Sequence, residues 1–194
     1  MTTRFPACRA RHLKQLLASV ARLPADQAGR IRAALAPQDV REIEDASSLE
    51  WLPAERTVEL ARALHDVLGE AGFHKFNRTH YAGVFREPVY AAIIQGATAL
   101  FGHDPTRWMR LLPDSWTLTF RDCGAWAVER ATSGTVALRL GELPLCCVSG
   151  RSWPLSVASA VSATFEVAGT EGTVELVSVS VERREARFEM RATA

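Results

Sequence analysis

The chain has no uninterrupted apolar run approaching the about 20 residues that span a membrane, so no transmembrane helix is expected. Its opening, Met-Thr-Thr-Arg-Phe-Pro-Ala-Cys-Arg, is too poor in apolar residues for a secretion signal, and a cytoplasmic location is the expectation. An excess of either charge is also missing. The 23 basic side chains meet 22 acidic ones, and a net charge of +1 argues against a dedicated nucleic-acid binder. Cysteine is scarce and unpatterned: Cys8, Cys123, Cys146 and Cys147 form no Cys-x-x-Cys pair and fit no zinc module, so no metal site is expected. In a reducing compartment they are free thiols, with adjacent Cys146 and Cys147 facing opposite ways if they lie in a strand. Catalytic signatures are absent as well. There is no Gly-x-Ser-x-Gly, no phosphate-cradling glycine loop and no His-Glu-x-x-His.

What is present is an ordinary globular composition, 47% hydrophobic and 23% charged over 194 residues, enough to bury a core of its own. Residues 1–40 carry seven basic side chains against Asp26 and Asp39, while residues 41–100 hold six basic and nine acidic ones. Arginine outnumbers lysine by 21 to two. Helical spacing runs through the first 120 positions. Leu13, Leu16, Leu17 and Val20 stripe a helix over 8–22 that Pro24 ends, and weaker helices follow over 25–35 and from Pro37 to Asp45. A stronger helix is predicted from Leu49 to Glu70, with Pro53 in its first turn and a stop at Gly69 and Gly72. Two more follow over 75–84 and 87–101. Asp104-Pro105 then reads as a cap and first-turn proline opening a helix through Trp108, Leu111 and Leu112.

After Gly124 the apolar period changes from 3.6 to 2. A hairpin over 125–130 and 135–140 turns at Thr132-Ser133-Gly134. A three-residue loop with left-handed Gly134 pairs Trp126 with Leu140 and Val128 with Leu138. Trp153-Pro154 opens a helix to about Val167. In a final hairpin, Val177, Val179 and Val181 are expected opposite Met190, Phe188 and Ala186, with Arg187, Glu189 and Arg191 on a wet face. The fold class is therefore α+β: N-terminal helices, then an antiparallel ββαββ sheet unit with helices packed on one face.

This order resembles the haem-NO-binding and 4-vinyl-reductase-type ligand-binding superfamily, related to a Golgi-transport tethering subunit, and looks closest to myxobacterial families of unknown function. Trp51-Leu52-Pro53, Leu111-Leu112-Pro113-x-x-Trp116, Leu140-Gly-Glu-Leu-Pro144 and Ala186-Arg-Phe188-Glu-Met190 carry the resemblance. It covers about residues 49–194, which divides the chain into a helical extension (1–48) and a ligand-binding-like α+β domain (49–194). The haem sensors of this superfamily carry a proximal histidine on a helix and a Tyr-x-Ser-x-Arg strand motif for the propionates. The nearest match here is Trp126-x-Val128-x-Arg130 downstream of His103, in which the arginine alone survives. Neither Trp126 nor Val128 replaces the lost hydroxyls, so a non-haem domain without a cofactor is expected. Cysteines that suggest a metal near the terminal hairpin of other members have no counterpart between Val174 and Met190.

Candidate site residues follow. Tyr90, Trp108, Trp116, Phe120, Trp126 and Trp153 fall near the helix-to-sheet junction, where the resemblance implies an apolar ligand. In this chain they read equally as a pocket and as a plug. His74 and Arg78, one helical turn apart, are a candidate anion clamp together with Arg130; a polar helix face explains the first two as well. The leading expectation is a non-enzymatic signalling or scaffolding module that binds a protein partner or forms a homodimer. The alternative is a sensor for a small hydrophobic ligand. A cysteine enzyme using Cys123 or Cys147 with His103 ranks last.

Overall fold

The computed structural model describes residues 5–132 and 134–193. Strand β1 (Ala7–Arg9) leads into helix α1 (Ala10–Val20), whose apolar stripe of Leu13, Leu16, Leu17 and Val20 is buried. Helices α2 (Ala25–Ala33) and α3 (Pro37–Asp45) follow. The expected helix from Leu49 begins later, because Trp51–Pro53 forms strand β2 and pairs antiparallel with β1. Pairing with a partner some 44 positions away overrides the helical spacing that Pro53 suggested. Helix α4 (Glu55–Phe85) is interrupted at Gly69, where φ is 66° and ψ 169°, a conformation that glycine adopts without steric cost.

The uncharged helix α5 (Pro88–Phe101) precedes α6 (Pro105–Trp108), which Asp104 caps by accepting from the Thr106 amide at 3.0 Å. A 3₁₀ turn (Met109–Leu111), α7 (Leu112–Thr117) and β3 (Phe120–Arg121) lead to the sheet unit. Strand β3 pairs with the free edge of β1, making a small sheet in the order β2-β1-β3.

The larger sheet is fully antiparallel, in the order β4 (Ala125–Thr132), β5 (Thr135–Gly141), β7 (Glu185–Ala192), β6 (Gly172–Ser180). Trp126 pairs with Leu140 and Val128 with Leu138, as expected. Beyond them a bulge at Glu129 absorbs one residue, so that Arg130 pairs with Ala137 and Thr132 with Thr135. Gly134 has φ 77°, the left-handed conformation assigned to it; Ser133 lies outside the described residues.

The last hairpin corrects the expected register. Val174 pairs with Met190, Leu176 with Phe188 and Val179 with Ala186, and a bulge at Val177 leaves that side chain 59% exposed. Met190, Phe188 and Ala186 are buried as expected, but Val181 lies in the turn. The other face is wet: Glu129 pairs with Arg139 at 3.2 Å and Arg187 at 3.4 Å. Between the hairpins run the short α8 (Leu145–Val148) and α9 (Ser152–Ala168), which packs on α4 and on β6.

A division at residue 48 does not describe this core. Leu13, Leu17, Ile31 and Ile43 belong to the same buried cluster as Leu60, Leu138, Phe165 and Phe188. Because β1 is the middle strand of its sheet, residues 5–48 supply part of the scaffold and are not an appendage.

Candidate functional site

Helix α9 runs beside α4, and the space between them and the start of the large sheet is filled with rings. Trp116 stacks on Phe120 with centroids 4.1 Å apart. Edge-on contacts join Trp116 to Trp126 at 5.7 Å and to Trp153 at 6.1 Å. These four rings, with Tyr90 of α5, line a cavity of about 110 Å³. Five of the six expected aromatic residues are thus brought together. Trp108 is not: it lines an adjoining space of about 70 Å³ beside Ile93, Ile94 and Ala97, and its indole donates to Gly102 O at 2.9 Å.

Besides the expected aromatics, two polar rings that no sequence motif marks line this cavity. His12 of α1 and Tyr81 of α4 stack at 5.7 Å, and the Tyr81 hydroxyl stands 3.5 Å from both His12 Nε2 and Ser156 Oγ. A signal for them existed. His12 lies four positions before Leu16 of the buried stripe, and Tyr81 continues the inward positions Phe73, Asn77 and Val84 of α4. Burial, reinforced by His80, lowers His12 to about 3, and burial with the nearby Arg22 charge lowers His80 to about 4. Burial likewise pushes the Tyr81 phenol up. Of the groups lining this cavity, Trp126 Nε1 is buried with no hydrogen-bond partner among the described residues. Such a group costs free energy unless something accepts from it.

Burial of the two neutral histidine rings makes stability depend on pH. Both rings are neutral in the folded chain near pH 7, whereas in the unfolded chain they titrate near about 6.5. As pH falls below that value the unfolded state takes up protons and the folded state does not, until pH approaches about 4 for His80 and about 3 for His12. Stability is expected to drop through this window by about 1.4 kcal/mol per pH unit for each ring. Urea midpoints at pH 7.5, 6.0 and 5.0 check it, and a midpoint constant to pH 5.0 contradicts it.

The proposed clamp is not assembled. His74 Nδ1 meets Ser159 Oγ at 2.8 Å, and Arg78 faces Glu166 at 3.7 Å, both across the α4–α9 contact. Arg130 lies on β4, exposed, where the bulge at Glu129 has turned it off the face that carries Trp126. Asn77, which lies between His74 and Arg78 in the sequence, is buried and donates to Phe73 O at 2.9 Å.

The cysteines converge in space. Cys123 donates to Ala7 O at 3.6 Å, and Cys146 and Cys147 lie in helix α8, where their Sγ atoms are 3.9 Å apart. They do not point to opposite faces, because α8 is helical. Hydrogen bonding to Cys123 and Cys146, with burial, pushes the Cys147 thiol up, and burial next to Cys123 raises Cys8. Raised, buried thiols are poor nucleophiles. His103 does not assist them: its Nδ1 faces Ala168 O at 3.3 Å. Among the described residues no group of three or more metal-binding side chains is set to hold an ion.

The residues at this junction do not form a haem site. A cavity of about 110 Å³ is far below the about 300–1,000 Å³ of sites for larger ligands, and tryptophan rings occupy the space around it. His103 does not line it, and the histidine that does, His12, is engaged by Tyr81. Val128 offers no hydrogen bond and Arg130 is turned away, so a propionate pair has no anchors here.

No protein-family model and no curated protein matches the sequence. Solved structures do. The chain is similar to an Fe(II) unliganded H-NOX protein from K. algicida, with 12% identity, a TM-score of 0.66, and 96% of this chain and 97% of that one covered. It is similar to an oxygen-binding H-NOX domain related to soluble guanylate cyclases, with 9% identity, a TM-score of 0.58 and coverage of 96% and 95%. An I5F mutant of the T. Tengcongensis H-NOX aligns at 8% identity with a TM-score of 0.59, over 96% and 98% of the two chains. Over nearly its whole described length, this chain has the fold of an H-NOX domain.

Proposed function

We propose that this domain is a non-enzymatic sensor that works without haem and binds a small aromatic molecule between its helices and its sheet. The structural neighbours, one an Fe(II) unliganded H-NOX protein and one an oxygen-binding H-NOX domain, support ligand sensing as the class of function. The observation that carries the present reading is the aromatic cavity with a lone buried donor, Trp126 Nε1. At about 110 Å³ the cavity has room for one six-membered ring; an engineered apolar cavity of about 150 Å³ takes up benzene. A ring bearing a hydrogen-bond acceptor would satisfy the indole.

Benzonitrile and toluene, each a single ring with a small substituent but only the first with an acceptor, test it. Benzonitrile is expected to raise the melting temperature and quench tryptophan emission saturably, as a ligand of the native state does. Its affinity should exceed that of toluene by about 3- to 10-fold, one hydrogen bond's worth. Trp126→Phe keeps a ring and removes the donor, so the preference should vanish. A preference that survives Trp126→Phe, or no saturable response to either compound, contradicts the proposal.

A second reading, docking of a protein partner or of a second copy, is favoured by α5. This helix has no charged residue and buries only Ala97, while Val89 and Leu100 stand 49% and 72% exposed. Tyr90 on its first turn lines the cavity, which would link ligand to surface. Sedimentation equilibrium of the wild type and of Val89→Asp/Leu100→Asp tests self-association. A dimer abolished by the charges supports it, and a concentration-independent monomer argues against a second copy.

A further inference from the structure

The molecule also has a concavity larger than the aromatic one. A groove of about 830 Å³ runs between α1–α2 and the second half of α4, within the about 300–1,000 Å³ of ligand sites. Its apolar wall is Leu23, Leu68, Phe76 and Val84. Two cations border it, Arg22 and Lys75, and both are exposed. Among the described residues neither takes part in an ion pair, whereas Arg11 of α1 and Arg78 of α4 do. The carboxylate in the groove, Glu87, is already engaged: Arg11 pairs with it and Gln15 Nε2 donates to it at 2.7 Å.

His80 supplies an independent pointer. The side chain is 7% exposed, stacks parallel to Phe76 at 6.3 Å, and lines the same groove. Its Nδ1 stands 2.9 Å from Ser19 Oγ, and its Nε2 is buried with no partner among the described residues. With the Ser19 hydroxyl donating to Nδ1, the neutral ring carries its proton on Nε2, a donor waiting for an acceptor.

We propose that this groove is a second binding site, for a small organic anion with a flat apolar body such as an aromatic carboxylate. The anionic group sits between Arg22 and Lys75, the body lies on Phe76, Leu23 and Leu68, and His80 Nε2 donates to an acceptor of the ligand. This site shares with the aromatic cavity only Val84, and it stands whether or not that cavity binds anything.

Titration calorimetry with 1-naphthoate at low ionic strength, against neutral 1-naphthalenemethanol, tests the proposal. One-to-one saturable binding of the acid is expected, about tenfold tighter than the alcohol. Arg22→Glu/Lys75→Glu should weaken the acid by about tenfold or more, and the melting temperature should hold within about 2 °C because both side chains are exposed and unpaired. Trp126→Phe should leave naphthoate binding unchanged, and saturation should shift the His80 ring nitrogens in NMR spectra. Equal binding of acid and alcohol overturns the proposal, as does a double variant that keeps its affinity. Cosedimentation with phosphatidylglycerol vesicles that needs Arg22 and Lys75, with no naphthoate binding, also overturns it by assigning the patch to a lipid surface.

Discussion

A chain shortened to residues 47–194 is expected to lose its cooperative unfolding transition. The deletion removes β1, the middle strand of the β2-β1-β3 sheet, and strands the backbone groups of Leu52 and Phe120 that face Cys8. It also strips Leu13, Leu16, Leu17, Val20 and Ile31 from the common core. At about 1.5–3 kcal/mol each, five such side chains match the about 5–15 kcal/mol that holds a whole domain together. His12, which lines the aromatic cavity, and Ser19 and Arg22 of the groove leave with them. Circular dichroism during urea titration decides the matter. A sharp transition at the full-length midpoint would restore the division at residue 48.

The second large effect reads the register of the terminal hairpin. Phe188 is 1% exposed, lies between Leu138 and Leu176 on the neighbouring strands, and tilts against Trp126 at 5.4 Å. Phe188→Ala is expected to cost about 3–5 kcal/mol, the transfer of the ring plus the cavity it leaves. Val177→Ala and Val181→Ala should stay within about 0.5 kcal/mol, because 59% and 54% of those side chains are exposed. Unbroken alternation from 177 to 181 demands the reverse for the valines, each losing core packing. Urea-derived stabilities of the three variants distinguish the registers; a Val177→Ala as costly as Phe188→Ala would remove the bulge.

Elements whose signals are local were legible in the chain itself. Asp104-Pro105 starts a helix because a cap and a fixed φ act within three residues, and α3 keeps the predicted limits Pro37–Asp45 because proline and an apolar stripe do the same. The Trp126–Leu140 pairing was readable because one face had to be apolar. The aromatic junction was readable as a cluster of large rings for the same reason.

What tertiary structure alone decided depends on partners far away along the chain. Strands of two or three residues, such as β1, β2 and β3, are too short to show a period, and they exist because three distant segments satisfy one another's amides. The bulges at Glu129 and Val177 each shift the side-chain parity by one. They turn Arg130 off the face that carries Trp126 and expel Val177 from the core, and no alternation rule places such an insertion. The meeting of His12 with Tyr81, and of Ser19 with His80, joins two helices separated by more than 60 positions. Each residue alone looks like an ordinary polar interruption of an apolar stripe. Only the packing of α1 against α4 turns them into the polar groups of two cavities, because burial strips them of water and leaves each to find its partner inside the protein.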